Sequence, residues 1–542
     1  MSLTKLHTFL ILTLAALGAA SCSNRYIHTV RQVPAPATTS NHVPNYSDST
    51  ITLAAGTHYD RGWLHTFFYG DHYRDVWKTP VKAKVLDVGT AKGGLEPLQM
   101  GGSRQTINLR LQNPDSIEYV IRSLDKEPAS VFSEKLQRSY LAYIVRDATS
   151  ATNPYGALTI PSMAKAINIY HLEPELVYVP HDPRLGAYRD SIGGTLALLE
   201  RRPDGSQLDN PRLGNAPRVK STRSAITRRL TDNDAKFDAR FYLRARLLDM
   251  LVGDWSRHED NWRWAEFTQG HNAHTYRAIP RDRDNVYYKF EDGLIPWVFK
   301  RLGFKPHFQT FRKNLKQVEK LNLSGRNLDE LILAELEWKD WQEVTDSVQA
   351  ALTDQVLEGA VKAMPDTIYK LTGKDTLEKL KSRRNQLQSI SQRYFAVLAK
   401  EVTLVGTDKH ELFNIEVVSE NEIKVDVFKT DKEGKVKQLL YSRTVNANTT
   451  DIIKLYGLNG DDHFNIIGNA KPNIKIMIWG GAGSDTYNTV SRNNKTGNKL
   501  HITDTTYSNT YNVDKHASIK IDDDIKAKEF DAEGWLLRYY LD

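Results

Sequence analysis

The chain has 542 residues, with 73 lysines and arginines against 66 aspartates and glutamates, a net charge of +7 and 40% hydrophobic residues. This composition excludes a disordered chain or a multi-span membrane protein and predicts roughly two to four domains. The single cysteine, Cys22, excludes an internal disulfide, a thiolate zinc cluster and a Cys-x-x-Cys redox pair. The interleaving of Lys and Arg with Asp and Glu argues against nucleic acid as a partner.

Residues 1–21 read as an export signal: Lys5, an apolar run from Phe9 to Leu17, then Gly18-Ala19-Ala20-Ser21 before Cys22. The run is too short to span a bilayer. Ala19-Ala20-Ser21-Cys22 resembles the bacterial lipobox with Ala in place of the usual Leu, which implies lipidation at Cys22 and a lipid-anchored protein. An ordinary secretory signal is the alternative. Residues 22–55, with Pro34, Pro36 and Pro44 among Thr, Ser and Asn, read as a flexible tether.

From 56 to 405 strand and helix signals alternate. Thr106–Leu111 and Tyr119–Arg122 read as strands joined by the turn Asn113-Pro114-Asp115-Ser116. Helical periodicity marks Glu134–Arg146, Phe237–Val252, Asn327–Met364 and a long stripe from Leu377 to Leu398, with Gly406 as a stop. After Gly406 the period changes to two, so 406–542 reads as a separate β domain.

That domain contains an internal echo: Gly457-Leu458-Asn459-Gly460-Asp461-Asp462-His463-Phe464 and Gly480-Gly481-Ala482-Gly483-Ser484-Asp485-Thr486-Tyr487. The second copy fits a calcium-binding nonapeptide, so Ca²⁺ at the Asp462 and Asp485 turns is one reading. Tight turns capped by Asp are the other, because stacked β-roll sites need turns about nine residues apart and these are 480 − 457 = 23 apart.

G-x-S-x-G, the P-loop and H-E-x-x-H are absent, and Tyr287 at the sixth position excludes an EF-hand starting at Asp282. One dense constellation remains: Gly253-Asp254-Trp255-Ser256-Arg257-His258-Glu259-Asp260-Asn261-Trp262 and, some twenty residues on, Pro280-Arg281-Asp282-Arg283-Asp284-Asn285. Carboxylates, an amide and arginines in loops suit a divalent cation with phosphate oxygens. They suit equally a buried salt-bridge network in which Arg281 and Arg283 pair with Asp254 and Asp260.

Arg257-His258-Glu259-Asp260-Asn261-Trp262 followed by Asp284-Asn285 resembles the catalytic and metal loops of atypical kinases: type II phosphatidylinositol 4-kinases, HipA toxins, CotH spore-coat kinases and secretory-pathway kinases. The resemblance covers about residues 90–300. It implies an α+β fold, a two-lobed protein-kinase-like domain followed by the smaller all-β domain. It also implies Mg²⁺ or Mn²⁺ with ATP or another nucleotide, held by Asn261 and Asp284, or Asp282, as metal ligands. Gly101, Gly102 and Arg104 would lie on the phosphate-covering loop, Arg122 on the strand that normally presents the nucleotide lysine, and Thr195–Arg201 near the hinge. Ser256 stands where those kinases have the catalytic aspartate and is a poor base; Asp254 and Asp260 are the substitutes within reach in sequence.

The whole chain also resembles large Bacteroidota envelope proteins, described as surface antigens or metallophosphoesterases, in Gly101–Gln105, Arg122–Lys126, Gly253–Trp255, Pro280–Asp284 and Tyr456–Asp462. In those proteins an outer-membrane β-barrel follows, whereas here the chain lacks barrel strands and phosphoesterase motifs. That likeness implies an outer-membrane location, on the periplasmic face or cell surface, and leaves open a non-catalytic module that assembles with a β-barrel protein.

Overall fold

The computed structural model describes residues 45–523 apart from 102–105, 271–272 and 491–498. The expected signal, Cys22, Gly102 and Arg104 lie outside the described residues. Helices and strands are mixed, and the described strands form four sheets. No helix among the described residues is long and apolar enough to cross a membrane.

Seven strands, β1 (Thr50–Leu53), β2 (Val81–Val85), β3 (Glu96–Gly101), β4 (Thr106–Gln112), β5 (Glu118–Lys126), β6 (Glu175–Val179) and β7 (Thr195–Arg201), form a sheet in the order β1-β2-β6-β7-β5-β4-β3. Two expectations change here. The tether does not extend to residue 55, because the Thr-Ile-Thr-Leu alternation at 50–53 pairs antiparallel with β2 and turns Ile51 and Leu53 toward the core. The strand expected to end at Arg122 continues to Lys126, past an irregularity between Thr106 and Asn108 of its neighbour.

A second sheet orders β8 (Arg218–Ser221), β9 (Ala235–Phe237), β10 (Trp262–Gln269) and β11 (Ala273–Pro280) as β8-β10-β11-β9. Against it packs the expected helix, Ala239–Val252. Asp238 caps its start by accepting from the Phe241 N–H at 3.0 Å, and Gly253 ends it at φ +72°, a left-handed position suited to glycine. This helix is buried nearly all round, so even its Arg246 and Asp249 have no solvent. They pair with each other at 2.6 Å, and Arg246 also reaches Asp329 at 2.8 Å and Asn322 at 2.6 Å. A buried ion pair persists only when its remaining hydrogen-bonding capacity is also filled.

The expected helix over Glu134–Arg146 is two short ones, Glu134–Gln137 and Tyr140–Asp147. The Asn327–Met364 stretch is three, Arg326–Ile332, Trp338–Ala351 and Asp354–Val361. The long stripe is Lys374–Asn385 followed directly by Leu387–Ala399, with Leu380, Leu387, Ile390 and Tyr394 fully buried.

The C-terminal region is a two-sheet solenoid. Its strands are β12 (Glu401–Thr407), β13 (Glu411–Ser419), β14 (Glu422–Thr430), β15 (Val436–Asn446), β16 (Ile452–Asn459), β17 (His463–Ile467), β18 (Lys475–Ala482), β19 (Thr486–Val490), β20 (Leu500–Asp504), β21 (Thr510–Asn512) and β22 (Ser518–Ile521). One sheet runs β12-β16-β18-β20-β22, all parallel. The other stacks β13, β17, β19 and β21 in parallel, with β14 and β15 as an antiparallel edge. The echo is therefore two successive rungs. Phe413, Phe464, Tyr487 and Tyr511 stack with ring centroids 4.7, 5.1 and 5.2 Å apart, and Asn414, Asn465, Asn488 and Asn512 link side chain to side chain beside them.

At each corner a carboxylate or amide accepts the backbone N–H of the rung before: Glu411 N–H to Asp462 at 2.8 Å, Asp462 N–H to Asp485 at 2.9 Å, and Asp485 N–H to Asn509 at 2.8 Å. The glycines make room for these groups, since a Cβ on Gly457 would meet Asp462 Oδ2 at 2.4 Å. The same reason places Gly406 inside β12, where a Cβ would lie 2.9 Å from Glu411 Oε2. The sheet thus begins at Glu401, ahead of the expected boundary at 406, and Gly406 is not a helix stop. Arg229 donates to the carbonyls of Val405 and Gly406 at 3.0 and 3.2 Å, and Asn233 to Glu411 at 2.8 Å, which docks the first rung on the preceding region.

Candidate functional site

The hairpin β10–β11 explains how two loops some twenty residues apart become one site. Its register sets Trp262 opposite Pro280, so the loop entering β10 and the loop leaving β11 lie side by side. Arg257, buried, laces them: its Nε donates to the Ser256 carbonyl at 2.7 Å and its Nη2 to the carbonyls of Arg281 and Asp282 at 2.7 and 2.9 Å. The Arg281 N–H donates to the Asn261 carbonyl at 2.9 Å. The Asn261 carboxamide donates to the Ser256 carbonyl at 2.7 Å and to its hydroxyl at 3.2 Å. That commits the amide nitrogen of Asn261 to the Ser256 loop.

Beneath these loops the salt-bridge network is real in part. Asp254 is 1% exposed and takes Arg283 at 3.2 Å and Arg257 at 3.4 Å, while Arg283 also pairs with Asp249. Burial still holds the Asp254 carboxyl above its ordinary range, against the pull of both arginines. The two arginines tie Asp254 into the loop framework. Asp260 sits exposed on the short turn Glu259–Asn261. Arg281 faces Asp282 and Glu200 instead of Asp254, and burial next to Arg122 and Arg263 pushes its guanidinium down to about 10.

Above the loops lies a cleft against the seven-stranded sheet. Its walls include Arg122, Lys126, Glu200, Arg281, Asp282 and Asp284, with Ala157, Ile160 and Leu198 as apolar floor. Its enclosed volume is only about 60 Å³. The reason is that its charges close on one another: Lys126 pairs with Asp284, and Arg122 with Glu200 and, at 3.0 Å, with Asp282. Burial would raise the Asp282 carboxyl, but Arg122, Arg281 and Lys126 outweigh it and bring it down to about 2. Burial raises Glu200 even with Arg122 beside it. Asp282 has φ +53°, a strained position for a non-glycine residue of the kind that concentrates at functional sites.

Of the residues singled out from sequence, the structure gathers Arg122, Asp282 and Asp284 in the cleft walls, with Asn261 and Ser256 on the adjoining loop and not in those walls. Gly101 closes β3 opposite Asn108 and is not part of the cleft. Among the described residues no three His, Cys, Asp or Glu side chains converge as a metal cage, either here or at the Asp462 and Asp485 turns. Lys126 and Glu200 fall within segments quoted from the sequence but are not singled out there as site residues. Lys126 lies four residues beyond Arg122 on the same strand, so the period of two carried to the strand end would have found it.

No protein-family model matches the chain, and no curated protein matches it. Among solved structures the chain is similar to the Helicobacter pylori proinflammatory kinase CtkA, at 11% identity and a TM-score of 0.28, over 57% of this chain and 97% of that one.

Proposed function

We propose that the chain is a lipid-anchored protein of the bacterial outer membrane whose cleft binds a nucleotide with a divalent cation, in a two-lobed kinase-like arrangement, and that phosphoryl transfer there is slow or absent. The observation that carries this reading is the pair Lys126–Asp284 across the cleft, next to a loop whose Asn261 amide is locked to Ser256. The donor set suits the ligands. Asp284 and Asp282 with Asn261 Oδ1 would hold Mg²⁺ or Mn²⁺ through hard oxygens. Lys126, Arg122 and Arg281 would hold phosphate oxygens once released from their present carboxylate partners. The bound cation would neutralise charge on the phosphates.

Position 256 supports the second half. A serine hydroxyl with an ordinary pKa cannot take a substrate proton efficiently, and Asp254 is tied to Arg283 and Arg257. The test is a thermal shift of the full chain with a panel of nucleotides, with and without Mg²⁺ or Mn²⁺. Metal-dependent stabilisation by at least one nucleotide is expected. No shift in any condition would favour the second reading, a non-catalytic envelope module that assembles with a β-barrel protein, in which the Asp249–Arg283–Asp254 network would give these loops a purely structural role.

A further inference from the structure

The apolar surface of the described residues is unevenly distributed. Every Trp or Phe among their exposed large hydrophobics lies on two short helices and the loop after the second: Trp63 and Phe67 on Trp63–Tyr69, Trp297 and Phe299 on Leu294–Arg301, and Phe304 just beyond. Trp63 is 79% exposed and Phe304 62%. The two helices pack on one another. Their junction is a glycine contact, since a Cβ on Gly293 would lie 2.2 Å from the Gly70 nitrogen. A monomer seldom leaves aromatic side chains grouped in this way unless something covers them.

Beside this face opens a second cavity, of about 430 Å³, which shares Trp297, Lys300 and Arg301 with it. Six cationic side chains line it, Lys300, Arg301, Arg312, Lys316, Lys320 and Arg383, against one carboxylate, Glu291. Glu291 is taken by Lys300 and, at 3.6 Å, by Arg312. Arg383 is 2% exposed and donates to the carbonyls of Arg312 at 2.7 Å and Met250 at 3.0 Å. Those carbonyls bring it no counter-charge, and burial pushes its guanidinium down to about 9. An anion in the cavity would relieve that cost.

From the juxtaposition of a grouped aromatic face with a basic cavity we infer a docking site for an anionic lipid bilayer: a phosphate-bearing headgroup enters the cavity at Arg301, Lys316, Lys320 and Arg383, while Trp63, Phe67, Trp297 and Phe304 sit at the headgroup level of the membrane. The complementarity is chemical on both halves. Tryptophan and phenylalanine partition to the membrane interface with basic residues beside them, and each Lys or Arg near an anionic surface strengthens binding several-fold. This goes beyond the nucleotide reading and does not depend on it. It orients a face of the protein toward the membrane, which an acyl chain on a flexible tether would not do.

The test is flotation of the full chain with vesicles of phosphatidylcholine, with and without phosphatidylglycerol, comparing wild type, Arg301→Glu/Lys316→Glu/Lys320→Glu and Trp63→Ser/Phe67→Ser/Trp297→Ser. All three carry the same N-terminus, so any leader or acyl chain contributes equally. The charge variant should lose the preference for anionic vesicles, with a drop on the order of a hundredfold, and the aromatic variant should bind both vesicle types more weakly. In wild type, lipids brominated in the acyl chain should quench tryptophan fluorescence, and this quenching should vanish in the aromatic variant; melting followed by circular dichroism checks that the variants fold. Equal wild-type binding to neutral and anionic vesicles, unchanged binding of either variant, or absence of quenching in wild type would overturn the inference. Complete displacement from vesicles by millimolar inorganic phosphate would reassign the cavity to a soluble anion.

Discussion

Replacing Asp485 by Asn should stabilise the solenoid at alkaline pH and leave it unchanged in acid. Asp485 is 1% exposed, its Oδ2 has no hydrogen-bond partner, and burial beside Asp504 and Asp461 pushes it from 3.8 to about 7. A carboxyl raised in the folded state contributes stability that is fully present below its unfolded pKa, near 4, and is lost as pH rises through about 7. At about 1.4 kcal/mol per tenfold change, ionising it inside the fold costs at most ~4 kcal/mol. Asparagine is tolerated at this corner, because Asn509 occupies the equivalent place one rung on and accepts the Asp485 N–H at 2.8 Å. Urea unfolding of wild type and Asp485→Asn at about pH 4.5 and pH 8 should therefore give similar midpoints in acid and a higher midpoint for the variant in base. A variant less stable at pH 8 would refute the reasoning. It would mean that the ionised carboxylate is held by a positive partner, and calcium would then be the first ion to titrate.

Three further outcomes are expected. Ser256→Asp should raise ATP hydrolysis or autophosphorylation by roughly 10²–10⁴-fold, the usual contribution of a positioned base, measured by phosphate release in Mg²⁺ or Mn²⁺. Arg257→Leu should cost about 3–5 kcal/mol in chemical denaturation, because it leaves Asp254 with one fewer cation and unties the Ser256 loop from the Arg281 and Asp282 carbonyls. Cys22→Ser should abolish incorporation of a fatty-acid analogue and release the protein from membranes in high salt with anionic lipid competitor; equal label in both proteins would end the lipoprotein reading.

The central helix and the two loops were legible because their signals are local. Asp238 caps, Gly253 stops, and the apolar period between them is unbroken. The juxtaposition of the loops follows from a hairpin whose register sequence does not state, but which two eight-residue strands make necessary. Lys126 stands out less than Arg122 because its own strand bulges between them, spending four residues, Arg122 to Lys126, against two of its neighbour, Asn108 to Thr106, so that burial no longer alternates there. The solenoid was hidden by an insertion. Phe464 and Tyr487 are 23 residues apart in register, whereas Phe413 and Phe464 are 51 apart because the β14–β15 hairpin interrupts the first rung. One visible repeat interval resembles a chance echo; the backbone shows the corner carboxylates stacked through neighbouring N–H groups. The tether reading failed at Thr50–Leu53 because a four-residue edge strand carries too short an alternation to stand out beside a proline-rich stretch.

The claim that the cleft holds a nucleotide is tested most directly by titration calorimetry of ATP into the full chain, with and without Mg²⁺, for wild type, Lys126→Met and Asp284→Ala. Binding in wild type that requires Mg²⁺, weakens at least tenfold in Lys126→Met and disappears in Asp284→Ala is expected, with all three proteins folded by circular dichroism. Absence of binding in wild type with Mg²⁺ or Mn²⁺, or binding indifferent to Asp284→Ala, would contradict it and leave Lys126–Asp284 as a structural ion pair.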